Sequence, residues 1–326
     1  MRSFFTIMAR CLCAGLLSAT AFAQQDYPSR PIRLVSGYAA GGTTSLIGRL
    51  IGQKLSETWG QQWVLDNRPG GGTLIAGEIV ARSVPDGYTL MLADSVHVLA
   101  PLVLNAPFDP IRDFTAIAII AQTDFLFLVH PSLPPNTLAD FLTYAKGRRG
   151  KLNYASPAIG GSQHLLTEIF NISAGIQTQH IPYKGGGQAL TALVAGEVDM
   201  YLATIATGAP YVKANRAKAL GVTGKRRSPL LPDVPTLDEA GFLNFNFPRV
   251  GYGIIGPARI PKSIVDKLAI EITRLTAQPE LRNTLINAGL DPSPTMSQEY
   301  SEALKGASKT YGGIISELKK NGVKFD

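Results

Sequence analysis

Apolar runs that end in glycine-bearing loops and lead into amphipathic segments recur along this chain. That alternation limits its fold more than any other feature. "IRLVSGY" at 32–38 precedes "SLIGRLIGQKLSET", in which Leu46, Ile47, Leu50, Ile51 and Leu55 share one helical face. "TLMLAD" at 89–94, "FLFLVH" at 125–130, "LNYAS" at 152–156, "QHIPYK" at 179–184, "VDMYLA" at 198–203, "AKALGVTG" at 217–224 and "VGYGIIG" at 250–256 read as further strands. Helices are expected near Ser45, over 73–82, near Ser162, after Gly187 and near Ala209. Another is expected through "SIVDKLAIEITRLT", where Ile264, Val265, Leu268, Ile272 and Leu275 line one side. Strands alternating with helices predict an α/β fold with largely parallel sheets. The 326 residues allow one large or two medium domains.

Ligands of such sheets bind beyond the carboxyl ends of strands, where the glycine loops lie. Four loops stand out: "GYAAGGTTSLIGR" (37–49), "NRPGGG" (67–72), "YASPAIGGSQH" (154–164) and "PYKGGGQAL" (182–190). In the first, Gly41 and Gly42 let backbone approach a ligand. Thr43, Thr44 and Ser45 add hydroxyls and a candidate N-cap, and the following helix offers unpaired N–H groups to an anion. Two loops early and two in the middle suggest two lobes facing one cleft.

Composition removes other classes. The first 23 residues, with Arg2, Arg10, a short apolar stretch and Ala21-Phe22-Ala23, read as a signal peptide (1–23) too short to span a bilayer. The formal charge is +7, and cleavage after Ala23 removes Arg2 and Arg10 from it. Cleavage also removes Cys11 and Cys13, the only cysteines. That excludes disulfides, thiolate metal sites and a cysteine nucleophile in the mature chain, and a large exported protein without disulfides points to a periplasm. The densest basic cluster, "GKRR" at 224–227, is too short for nucleic-acid recognition.

GxxxxGK[ST], GxSxG and HExxH are absent. His97, His130, His164 and His180 are dispersed and read as structural. Ser162 and His164 are two apart, so on a helix they do not face each other, which weakens a hydrolase using Ser156 or Ser162 with His164. Asp94, ending "TLMLAD", has three readings: a general base, an acceptor for a ligand hydroxyl, or a loop cap. No cofactor or metal is expected.

"YPSRPIRLV", "NRPGGG", "VARSVPDGYTLML", "GKLNYAS", "IPYKGGGQALTALVAGEVDM" and "RRSPLLPDVPTLDEAGF" resemble, in order and spacing, the Bug-type periplasmic solute-binding receptors of tripartite tricarboxylate transporters. The resemblance implies a two-lobed clamp hinged on two crossing strands, 125–130 and 250–256. It places 24–125 and 250–326 in the first lobe and 126–249 in the second. It implies loops 38–45 and 69–73 facing 156–163, 183–187 and 203–207, and a small carboxylic acid held by backbone N–H groups and waters at 39–44. The bound acid would pass to inner-membrane permease subunits. A sensor ectodomain is the alternative partner, and a polar di- or tricarboxylate the alternative ligand. A monomer suffices.

The residues expected at the ligand are Tyr38, Ala39, Ala40, Gly41, Thr43, Thr44, Ser45, Asp94, Ser156, Ile159, Gly160, Ser162, Tyr183, Ala203, Thr204 and Arg249. Departures from the family pattern sharpen this. Ala39 and Ala40 stand for prolines, Ser45 for an aspartate, and Ala203-Thr204 for an aspartate–asparagine pair. Ile159 and Gly161 replace positions often polar. These losses argue against an amino-acid ligand. Ile159, Ala203, Ile205 and Phe127 would form an apolar wall for an acid with an apolar or aromatic body. Arg249 is a candidate partner for a second carboxylate.

Overall fold

The computed structural model describes residues 27–243, 249–320, 322, 323 and 325. The signal-peptide segment, 1–23, lies outside them. In chain order the elements are β1 (Ile32–Ser36), α1 (Thr43–Trp59), β2 (Trp63–Asn67), α2 (Leu74–Ala81), β3 (Thr89–Ala93), α3 (Val96–Val103), β4 (Phe114–Thr123) and β5 (Phe125–Val129). Then come α4 (Leu138–Lys146), β6 (Leu152–Ser156), α5 (Ser162–Ala174), β7 (Thr178–Pro182), α6 (Gly186–Ala195), β8 (Met200–Thr204), α7 (Ile205–Lys213) and β9 (Lys218–Val222). The last are β10 (Val250–Pro257), α8 (Lys262–Ala277), α9 (Pro279–Asn287), β11 (Asp291–Thr295) and α10 (Ser297–Lys320).

Two sheets carry the fold, with strand orders β11-β4-β10-β3-β1-β2 and β7-β6-β8-β5-β9. They share one plan. In the first, β1 pairs parallel with β2 and β3, and β10 adds antiparallel to β3. In the second, β6 pairs parallel with β7 and β8, and β5 adds antiparallel to β8. The sheets are therefore mixed, not largely parallel as expected. β5 and β10 reach their sheets from the other lobe rather than through a helical crossover within the sheet, which parallel pairing would need.

Burial explains the pattern. β5 and β8 are buried along their whole length, as strands covered on both faces must be. Phe125, Phe127 and Val129 face a core that also contains Ile32, Leu34 and Ile254 of the first sheet, so apolar packing runs through the crossing. Leu126 and Leu128 face the opposite side, against Ala155, Leu190 and Ala203. The stripe of α1, Ile47, Ile51 and Leu55, is buried as its spacing predicts.

The chain crosses between sheets at Asp124, where β4 ends and β5 begins. Nearby, the Thr123 hydroxyl donates to Gly289 O at 2.9 Å. The Ile205 N–H donates to Asp124 O at 3.1 Å.

Candidate functional site

A partly open cavity lies between the two sheets. From the first sheet's side it is lined by Tyr38, Gly42, Thr43, Thr44, Asp94 and Tyr252. Across from them are Pro157, Gln163, Gly186, Tyr201, Thr204 and Thr207. The threonines, Gln163 and the two glycines come from the starts of four helices: α1, α5, α6 and α7. None of these N-termini has a side-chain cap: their N-cap residues are Gly42, Gly161, Gly185 and Thr204. Uncapped first turns keep unspent N–H groups and a positive dipole end. Four of them around one cavity form an anion site built mainly from backbone.

The lobes touch directly. Thr43 Oγ1 and Thr204 Oγ1 are 2.7 Å apart, and Thr204 Oγ1 is 2.8 Å from Thr207 Oγ1. This hydroxyl chain runs from α1 across the cleft to α7. Tyr252 lines the cavity beside Thr43. At the rim the Ala39 N–H donates to Lys184 O at 2.8 Å.

Two glycines permit the closure. A Cβ on Gly160 would sit 2.3 Å from Val103 Cγ2, and one on Gly72 would sit 2.8 Å from Ile159 O. Both residues have positive φ, 69° and 60°, so the left-handed backbone and the close approach require glycine together.

Tyr38, Thr43, Thr44, Asp94 and Thr204 line the cavity, as their positions in the sequence suggested. Tyr38 donates from its hydroxyl to Asp94 Oδ2 at 2.8 Å, and the Val96 N–H donates to Asp94 Oδ1 at 2.9 Å. Burial raises the Asp94 carboxyl to about 6, against these two hydrogen bonds.

The other expected residues sit elsewhere. Ala40 and Gly41 are exposed at the rim, beside Ala39. Ser45 is not an N-cap: α1 begins two residues earlier, at Thr43. Ser45 is fully buried, 3.4 Å from Asn67 Nδ2. Ala203 pairs with Leu126 in the second sheet and packs in that lobe's core. With Ser45 and Ala203 both outside the cavity, neither decides whether an amino group fits.

The apolar wall is absent from the cavity. Phe127 packs on Phe141 and Phe170, with ring centroids 5.1 and 4.7 Å away. Ile205 is buried beside Gly289, and the Ile159 carbonyl packs closely against Gly72. Gly160 meets α3. Tyr183 is half-buried, with its hydroxyl 3.5 Å from Glu197. Arg249 turns to the crossing: its Nε lies 3.2 Å from Asp124 Oδ2 and its Nη1 2.8 Å from Asp291 Oδ2.

The serines are occupied or buried. Ser156 donates to Ala158 O at 3.0 Å and lies 2.7 Å from His180 Nε2. Its one hydrogen goes to the carbonyl, so the ring must donate to it. That is the reverse of the polarity a base-activated serine needs. His164 Nδ1 accepts from the Gly160 N–H at 3.0 Å, and Ser162 Oγ is buried with no partner among the described residues. The two imidazoles stack 3.8 Å apart. Burial lowers His180 to about 4, and burial with the neighbouring ring lowers His164 to about 3. Among the described residues no group of three or more His, Cys, Asp or Glu is placed to hold a metal.

Sequence reasoning missed Tyr201, Tyr252, Gln163, Pro157 and Thr207. Tyr252 had a visible signal, since it stands between two glycines in "VGYGIIG". Tyr201 lies inside an unbroken apolar strand and had none.

A family model described as "Tripartite tricarboxylate transporter family receptor" matches residues 47–320. A UPF0065 protein of Bordetella pertussis is 34% identical over 317 residues, covering 96% of this chain and 98% of that protein. One from Cupriavidus necator is 33% identical over 313 residues, covering 96% and 95%. A structure of an R. palustris protein with adipate superposes with a TM-score of 0.87 at 30% identity, covering 90% of this chain and 99% of that one. The periplasmic binding protein BugD gives 0.86 at 27% identity, covering 90% and 99%. MatC from Rhodopseudomonas palustris with bound malate gives 0.83 at 27% identity, covering 89% and 100%. These relatives are two-lobed binding receptors, not enzymes. The chain belongs to the tripartite tricarboxylate transporter receptor family, whose members are periplasmic binding proteins.

Proposed function

We propose that this protein captures a small carboxylic acid between its lobes in the periplasm and delivers it to the inner-membrane permease subunits of a tripartite tricarboxylate-type transporter. One observation carries the reading: four helix N-termini without side-chain caps surround one cavity between the lobes. Their N–H groups can hold a carboxylate without a cationic side chain. The relatives solved with adipate and malate are consistent with this class of ligand. The apolar body of the acid would lie against Pro157 and the rings of Tyr38, Tyr201 and Tyr252, which take the place of the expected aliphatic wall. The first 23 residues act as the export signal, and one protomer makes a complete clamp.

No chemistry on the ligand is needed. A ligand that touches both lobes only when they meet shifts the population toward the closed form. A thermal-shift screen of aliphatic and aromatic mono- and dicarboxylates tests the reading. An authentic ligand raises Tm, and the rise keeps growing with the logarithm of ligand concentration beyond saturation. If neutral sugars or alcohols raise it and no acid does, the reading fails.

A further inference from the structure

Among the described residues, Asp94 is the only formally charged side chain lining the cavity. It follows β3, and each of its oxygens already accepts one hydrogen bond, from Tyr38 or from Val96. Each oxygen keeps further acceptor capacity. The titratable groups that face it are Tyr38 from the β1–α1 loop, Tyr252 from β10, and Tyr300 and Tyr311 from α10. Burial raises all four phenols, so they stay neutral near pH 7. No lysine, arginine or histidine lines the cavity. The helix N-termini can take one ligand carboxylate, but a second negative charge would meet Asp94 with no cation to separate them. Two carboxylates so placed cannot both stay ionised cheaply.

We propose that Asp94 restricts the cleft to acids whose far end brings a hydrogen. A hydroxyl or ammonium donates to Asp94 directly. A dicarboxylate enters with one proton, taken from solvent, held between its far carboxyl and Asp94. The inference rests on reading the cleft as a carboxylic-acid site. The elevated titration point of Asp94 fits a carboxyl that accepts this proton readily near neutral pH.

The test is calorimetric titration between pH 5.5 and 8 with two matched sets: butyrate, 4-hydroxybutyrate and succinate, then hexanoate, 6-hydroxyhexanoate and adipate. Each is run in two buffers of different ionisation enthalpy, which counts the protons taken up. In the set whose length fits, the hydroxy acid should bind about tenfold tighter than the plain acid, as expected for one added hydrogen bond to a charged group. The dicarboxylate should take up close to one proton above pH 6, and its affinity should fall about tenfold per pH unit, the linkage expected for a single proton. Asp94→Asn should abolish both the uptake and the pH dependence. If that variant does not fold, the wild-type proton count decides alone. Dicarboxylate binding without proton uptake, or equal binding of hydroxy and plain acids, overturns the role of Asp94 and leaves the carboxylate site standing. Failure of every acid to bind overturns both.

Discussion

The two lobes are built on one plan but face the cleft differently. β1 and β6 both end in a serine, Ser36 and Ser156, followed by a short loop with paired glycines and an uncapped helix. In the first lobe that loop sends Tyr38, Thr43 and Thr44 into the cavity, and the equivalent turn after β3 adds Asp94. In the second lobe Ser156 is tied down by His180 and Ala158 behind the cavity, and the stretch 158–160 packs against α3 and Gly72 of the first lobe. Its contribution to the cavity is Pro157, Gln163, Tyr201 and the N-termini of α6 and α7. Shared topology therefore fixes where a loop lies and leaves open what it does. The first lobe brings the charged side chain, Asp94, and the second brings three of the four helix N-termini together with much of the closing surface.

Blocking the closing surface should have the largest effect. Gly72→Ala places a methyl against Ile159 O at a position of positive φ. Left-handed strain alone costs roughly 1–3 kcal/mol, and the clash arises only when the lobes meet. Affinity for any ligand should fall on the order of 100-fold, which is about 2.7 kcal/mol. Unchanged affinity by calorimetry would show that this contact is not part of the bound state.

Acid should act next, through the second lobe's imidazole pair. His164 and His180 resist protonation until about 3 and 4, while the unfolded chain takes up protons near 6.5. Their contribution to stability is complete above pH 6.5 and is lost as pH falls from 6.5 toward 4. The upper bound is about 1.4 kcal/mol per pH unit for each ring. Buried His97, lowered to about 4, adds in the same direction. Asp94 opposes over part of the range, because its raised value favours the folded state as pH drops from 6 toward 4. The Tm of the unliganded protein should fall between pH 6.5 and 5. His180→Gln, which keeps a donor for Ser156, should reduce that fall. A flat profile in the parent protein would contradict the neutral, buried pair.

Arg249 should matter least. Its side chain is 38% exposed, and its partners Asp124 and Asp291 lie at the crossing rather than in the cavity. Exposed ion pairs contribute about 0–1 kcal/mol, so Arg249→Gln should change ligand affinity less than about threefold. A loss beyond tenfold for dicarboxylates alone would place Arg249 at the ligand after all.

The α/β class, the two lobes and the loops that bear the cavity were legible because apolar runs and glycine loops repeat along the chain. β4 was not: "FTAIAIIAQT" follows a proline-rich stretch and is buried on nearly every residue, so it lacks the alternation that marks a strand. The antiparallel additions of β5 and β10 depend on the lobe crossing, which no local pattern encodes. Within the site, Thr43 and Thr44 were readable from their place in the first glycine loop, and Thr204 from the family pattern it departs from. Ser45 and Ala203 lie outside the cavity because one residue along a helix or strand turns a side chain from the cavity to the core. The tie from Ser156 to His180 was not legible, because the two are neighbours only across the parallel β6–β7 pair.

The most direct test of this asymmetry is calorimetric titration and thermal melting of Thr43→Val and Ser156→Ala, with the acid that the thermal-shift screen identifies. Thr43→Val removes the hydroxyl that joins the lobes and should weaken binding about tenfold, a cost of roughly 1.4 kcal/mol. Ser156→Ala leaves the His180 N–H without its acceptor. It should lower Tm by roughly 2–6 °C, from about 1–3 kcal/mol of lost stability, and leave the affinity unchanged. Equal losses of affinity in the two variants, or a larger loss in Ser156→Ala, would contradict the division of labour between the lobes.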